Sequence, residues 1–115
     1  MHYLAVFSVS CCLLLASPPL AAETLIVTLF SGEVPPYSMK KQGKRQGIII
    51  DLFTLLAKYT PHEFVLREAP VARGMREFDL GRVDIEPGVT PAWRKHRAVP
   101  GLYSIVYDEA MDVIV

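Results

Sequence analysis

The chain has 115 residues, in which twelve Lys and Arg balance twelve Asp and Glu. That balance leaves no basic field for nucleic acid or an anionic membrane surface, so a small neutral or zwitterionic solute fits better as a partner. The length remaining after an N-terminal leader suits one domain of roughly 100 residues rather than two.

Residues 1–22 carry no acidic group, and an apolar run over 3–16 breaks at Ser17, Pro18 and Pro19. A run that short does not cross a bilayer, which takes about 20 residues, and Ala21 and Ala22 offer a cleavage point before Glu23. Residues 1–22 therefore read as a signal peptide, with an exported mature chain that starts near Glu23. The alternative, a buried first helix or strand, is disfavoured by the adjacent Cys11 and Cys12 and by the proline pair that would end a helix. Cys11 and Cys12 both fall in the leader, so the mature chain is expected to hold no disulfide, no thiolate metal site and no Cys nucleophile. No later apolar stretch is long enough to span a membrane, and no membrane insertion is expected after cleavage.

Residues 25–30, Leu-Ile-Val-Thr-Leu-Phe, have the composition of a strand buried on both faces, which points to a parallel sheet. Residues 31–46 hold Gly32, Pro35, Pro36 and Gly43 with four cationic side chains, the marks of an exposed loop or hairpin. Over 48–59 the polar positions Asp51, Thr54 and Lys58 share one helical stripe, so this helix is buried on most of its circumference. A second strand is expected over 64–66. A second helix opens at Pro70, turns Val71, Met75 and Phe78 inward and Arg73, Arg76, Glu77 and Asp79 outward, and ends at Gly81. Residues 83–85 read as a third strand. Thr90 reads as the N-cap, with Pro91 at the first position, of a short helix through Lys95. Extended segments are expected over 98–106 and 111–115. The order is βαβαβ, an α/β three-layer arrangement.

Several elements in this order resemble the family 3 extracellular solute-binding proteins, the periplasmic binding fold that serves amino-acid transporters. The resemblance rests on Pro35-Pro36-Tyr37, on Gly47 with Asp51-Leu52, and on Pro70 and Arg73 followed by Gly81-Arg82-Val83-Asp84-Ile85. It is completed by Gly88-Val89-Thr90 with Arg94. It covers nearly the whole mature chain and implies a type II periplasmic-binding-protein fold, of which residues 23–115 are the N-terminal part of the first lobe, a truncated binder without its second lobe. The implied function is binding, in the periplasm, of a small amino-acid-like or carboxylate-bearing solute as the receptor component of a membrane transporter, with no cofactor or metal and without catalysis. Three departures stand out. Glu86-Pro87 occupies a place where the family has small apolar residues, the interval from Gly88 to Arg94 is one residue shorter, and the sequence stops at Val115.

In that family the Gly-x-Thr and Arg elements hold a ligand carboxylate, which assigns Gly88, Thr90 and Arg94 to ligand binding. Physically, a carboxylate wants a planar bidentate donor and free backbone N–H groups, and a capped helix start followed by Arg94 offers both. The plainer reading of Arg94 is a solvated cation beside Lys95 and Arg97, and that of Thr90 a simple cap. Tyr37, in the loop after the first strand, is a candidate to cover an apolar body or a cation, or else packs beneath its loop. Arg73 is a second-rank ligand candidate, otherwise an exposed arginine, and Gly88 serves equally as a turn glycine. Asp51 and Asp84 read as structural, and His62 and His96 show no metal spacing. Two rival functions remain, a sensor-domain fragment of a membrane receptor and an enzyme on the same fold. Against the enzyme, the chain shows no Ser-His-Asp order and no carboxylate pair flanking a pocket.

Overall fold

The computed structural model describes residues 21–111, 113 and 114. Apart from Ala21 and Ala22, the leader read over 1–22 lies outside the described residues, as do Asp112 and Val115 of the last extended segment. The elements are β1 (Thr24–Phe30), β2 (Met39–Lys41), β3 (Lys44–Gln46), α1 (Ile48–Tyr59), β4 (Glu63–Ala69), α2 (Val71–Asp79) and α3 (Pro91–Arg94). The chain is a small mixed α/β domain with a parallel sheet. β1 pairs β4 in parallel from Thr24↔Glu63 to Phe30↔Ala69, and β2 and β3 form a separate antiparallel hairpin.

β1 presents its two faces to two helices, as period-two alternation requires. Val27 and Leu29 turn to one face and are buried with Ile49 and Phe53 of α1, and Phe64 and Leu66 of β4 pack against the same cluster. Phe53 and Phe64 meet as a tilted pair with ring centroids 5.3 Å apart. Thr28 and Phe30 turn to the other face, where Gly74 of α2 lies on them. The inward face of α2 is thus built on a glycine, while Val71 is exposed and Met75 and Phe78 are half-buried. Asp79, expected to face away, turns in toward Arg94 and Arg97 because those two cations converge on it.

The third strand expected over 83–85 is reduced to a single parallel bridge, Val27↔Ile85. Thr28 N–H donates to Ile85 O at 2.9 Å and Ile85 N–H to Ile26 O at 3.1 Å, but the next position departs from a ladder. There the Asp84 carboxylate itself accepts the Ile26 N–H at 2.8 Å, while Asp84 N–H shares the Ile26 carbonyl. A side chain substitutes for strand backbone, and Pro87, with no N–H, stops continuation two residues later. No strand forms over 98–106 or among the described residues of 111–115, because neither segment finds a sheet edge to pair with; Leu102, Ile105 and Met111 are exposed.

The helix starts depart from the expected caps in instructive ways. α1 is preceded by Gly47, and its first N–H groups are taken by the loop before it: Ile48 N–H donates to Pro36 O and Ile49 N–H to Tyr37 O, both at 3.1 Å. Gly47 has φ 133°, and a Cβ there would stand 2.4 Å from the Tyr37 carbonyl oxygen. Pro70 is the N-cap of α2 rather than its first helical residue. α2 ends as expected, with Leu80 at the C-cap and Gly81 following at φ 71°. Thr90 is the N-cap of α3, yet its hydroxyl makes no capping bond; the Trp93 N–H donates to the Thr90 carbonyl instead.

Two glycines can be ranked by these contacts. Gly47→Ala must both strain a left-handed backbone and push the Tyr37 carbonyl away, which should destabilise by about 3 kcal/mol or more. Gly74→Ala meets the Thr28 methyl at 2.6 Å and Phe30 at 2.9 Å. Those are side chains with some room to yield, and alanine's helix preference offsets part of the cost, so about 1 to 2 kcal/mol is expected. Urea midpoints of the two variants should fall in that order.

Candidate functional site

Open parallel sheets bind ligands beyond the carboxyl ends of their strands. Here that edge lies where the chain leaves β1, β4 and the Ile85 bridge: Tyr37, and Gly88 with Thr90, are in the loops after the first and the last, and Arg73 is in the first turn of α2, which follows β4.

Tyr37 and Gly88 are brought together, by a part of the chain that spacing alone did not single out. Gly88 N–H donates to the Tyr107 hydroxyl at 2.9 Å, and the neighbouring Asp108 carboxylate stands against the Tyr37 hydroxyl. Its hydrogen bond, followed by burial and the nearby negative charge, raises the Tyr37 pKa above the ordinary phenol value. Tyr37 also packs against the α1 side of the core, so both of its expected roles, contact at the edge and packing beneath the loop, are compatible with its position. Arg73 is on the opposite side of the sheet, in the first turn of α2, where it is exposed. Thr90 is exposed at the start of α3.

Arg94 stands apart from all of these. Its side chain is 2% exposed and lies against the second half of α2, with the guanidinium 4.2 Å from the centre of the Phe78 ring. A guanidinium has five N–H donors. Nε donates to Glu86 Oε2 at 2.9 Å, Nη1 to Asp79 Oδ1 at 2.7 Å and to Val99 O at 3.1 Å, and Nη2 to Glu86 Oε2 and, at a long 3.5 Å, to Met75 O. All five are engaged within the chain. Asp79 accepts in addition from Arg97, at 2.9 Å from Nε and through Nη2. Glu86, whose side chain is 1% exposed, is the residue that stood out in the sequence as a departure from the family pattern.

The electrostatics follow from this closed group of two cations and two carboxylates. Burial works against the charge on Arg94, yet its bonds to Glu86 and Asp79 outweigh that and raise its pKa. Bonds from Arg97 are the strongest influence on Asp79; burial opposes them, Arg94 adds to them, and the carboxyl is held below its ordinary value. On the far side of the domain Arg45 bonds Glu68 and the Gly32 carbonyl, ties the β2–β3 hairpin to β4, and lowers the Glu68 pKa.

Sequence spacing missed Glu86 and Asp79 as partners of Arg94, since they lie 8 and 15 residues before it. It also missed Thr28, a 1% exposed side chain whose Oγ1 has no hydrogen-bond partner among the described residues. No group of metal-ligating side chains forms among the described residues, and none of the described helices is long and apolar enough to cross a membrane. No family model, no curated protein and no solved structure matches the chain.

Breaking a buried ion pair from one side costs more than removing both partners. Arg94→Ala and Glu86→Ala should each destabilise by about 3 to 5 kcal/mol, whereas the apolar pair Glu86→Leu with Arg94→Met should lose less than either single change. Chemical denaturation of the three variants checks this. If the pair instead costs as much as the two single changes together, the group is not coupled.

The acid limb of stability should carry the signature of Asp79. Its folded pKa is depressed, so the unfolded chain binds the proton more readily, and its contribution is complete above the ordinary carboxylate range and lost as pH falls through the lower folded value. Asp79→Asn should therefore flatten the decline of stability below about pH 4, measured by thermal unfolding across pH.

Proposed function

We propose that this chain is an exported lobe of a periplasmic solute-binding protein of the family 3 type, which takes a small amino-acid-like or carboxylate-bearing solute at the carboxyl edge of its parallel sheet and serves a membrane transporter. The observation that carries the reading is the convergence of loops. Those after β1 and the Ile85 bridge leave the same edge of one sheet and bear Tyr37, and Gly88 with Thr90, while α2 starts from that edge after β4 and carries Arg73 in its first turn on the other face. Supporting it are the order of elements and the leader over 1–22 read from the sequence.

Within this reading Arg94 takes a different part from the one its motif implies. Its five donors are already engaged, so a solute carboxylate would first have to displace Glu86 or Asp79 and leave a carboxylate buried and unpaired. Arg94 acts as the clamp that fixes the segment after the bridge against α2. Tyr37 and Gly88 remain as direct contacts, with Tyr107 and Asp108 beside them.

The reading gives this chain one side of a cleft. A full binder that holds its solute at roughly 1 μM has about 8 kcal/mol to share, and an even division leaves about 4, or a Kd of roughly 1 mM. Two measurements on the full chain expressed with its leader test the proposal. N-terminal sequencing of the exported product should begin near Glu23, and NMR titration with a panel of amino acids should give millimolar affinity with shifts at Tyr37 and Gly88. An intracellular product with an intact Met1, or a panel that leaves those two amides unmoved, would sink it.

A further inference from the structure

Two adjoining hollows lie along α2, on the face of the sheet opposite α1. One, of about 280 Å³, is lined by Thr28, Arg67, Glu68, Arg73, Gly74 and Glu77 among others. The other, of about 400 Å³, shares Arg73 and Glu77 and adds Arg76 and Arg82. Their two carboxylates are committed to other cations, Glu68 to Arg45 and Lys40, and Glu77 to Arg82. Arg67, Arg73 and Arg76 make no ion pair among the described residues. The wall of the smaller hollow therefore carries cationic charge in excess.

The base of that hollow supplies an independent observation. Thr28 is 1% exposed, lines the hollow, and has a hydroxyl without a partner among the described residues. A buried hydroxyl without a partner is costly, and each such atom calls for an explanation. Beside it begins α2, nine residues long, with no side-chain cap bond and no acidic residue in its first turn. Its positive end is therefore uncompensated by the chain itself.

We propose that the smaller hollow binds a small oxyanion, a carboxylate or phosphate group, between the guanidinium groups of Arg67 and Arg73, with Thr28 Oγ1 donating from below. The planar fork of an arginine matches two oxygens at once, which a lysine does not. The oxyanion site stands on the hollow, the arginines and the threonine. Its further identification as the place where this lobe holds the solute's carboxylate, in the role that Arg94 is too engaged to fill, rests on the function proposed above.

NMR titration of the full chain tests both parts, with acetate, inorganic phosphate, an amino acid and the corresponding amino-acid amide as probes. Binding should shift the amides of Thr28, Arg73 and Gly74. Arg73→Gln and Arg67→Gln should each weaken the oxyanion about tenfold, and Thr28→Val, which keeps the shape, by roughly five- to tenfold. The two arginines are exposed, so their variants decide the matter even if Thr28→Val does not fold. An amino acid that shows the same arginine dependence, lost in its amide, identifies the anion as the solute's carboxylate. Binding of acetate or phosphate with no response to the amino acid keeps the oxyanion site and overturns the solute-binding reading. Amino-acid binding indifferent to Arg67 and Arg73 keeps that reading and overturns the site, and silence toward every probe overturns both.

Discussion

β1 is hydrogen-bonded to β4 along one edge and to the segment around Ile85 at a single bridge on the other, and both α1 and α2 take their positions from that strand. Its register with β4 aligns seven residue pairs, while the bridge at Ile85 fixes the chain on the other side. Val27 is 0% exposed because it lies where all of these meet. The four neighbours demand different side chains on alternate residues. Toward α1 the strand offers Val27 and Leu29 to an apolar cluster, and toward α2 it offers Thr28 and Phe30 to a helix that can approach only because Gly74 has no side chain. Both layers thus depend on one six-residue apolar run, and the loops of the candidate site are held at one edge by the same pairing.

The two faces are stabilised by different physics. On the α1 side burial of aliphatic and aromatic surface is sufficient, with Phe53 and Phe64 at its centre. On the α2 side the helix has little apolar surface to bury, and the segment after Ile85 is held to it by the group of Arg94, Glu86, Asp79 and Arg97. Such groups are weak evidence for stability in themselves, but they tolerate few arrangements, since each missing partner leaves a charge in a poor solvent. That restriction suits a segment with no regular ladder to define its place. It also explains how a residue in a familiar motif position comes to be used up in holding the fold.

The parts legible in the sequence are those governed by periodicity. The run 25–30, the helix over 48–59 and the Gly81 stop each depend on residues close together in the chain, and each corresponds to an element of the structure. The expected burial of that helix on most of its circumference is corrected: only Ile49 and Phe53 are buried, while Ile48, Leu55 and Tyr59 are exposed along with the polar stripe, because α1 covers the sheet with one face only. What spacing could not show was decided between distant residues. The engagement of Arg94 needs carboxylates from two other segments, and only the odd placement of Glu86 hinted at one of them. The third strand was misjudged because Val-Asp-Ile has the composition of a strand, whereas the Asp84 side chain takes over a backbone role. The inward turn of Asp79 likewise contradicts its polar stripe on α2, for the reason that two arginines meet it there. Of the site residues, Tyr37 and Gly88 could be chosen from their loops, but Tyr107 and Asp108, which join them, lie in a segment that looked like a plain extension.

The contact between Asp84 and the Ile26 amide has a consequence for how this sheet can change over generations. Backbone hydrogen bonds in a ladder are indifferent to side-chain identity, so ordinary substitutions leave them in place. The amide of Ile26 is held by a carboxylate instead, and that bond is therefore written in a single codon. Replacing Asp84 with a residue that lacks an acceptor removes it outright, whereas the neighbouring bonds at Thr28 and Ile85 are made by backbone alone. The central strand thus contains one position at which inheritance acts directly on main-chain pairing, at the end of the sheet away from the ligand edge.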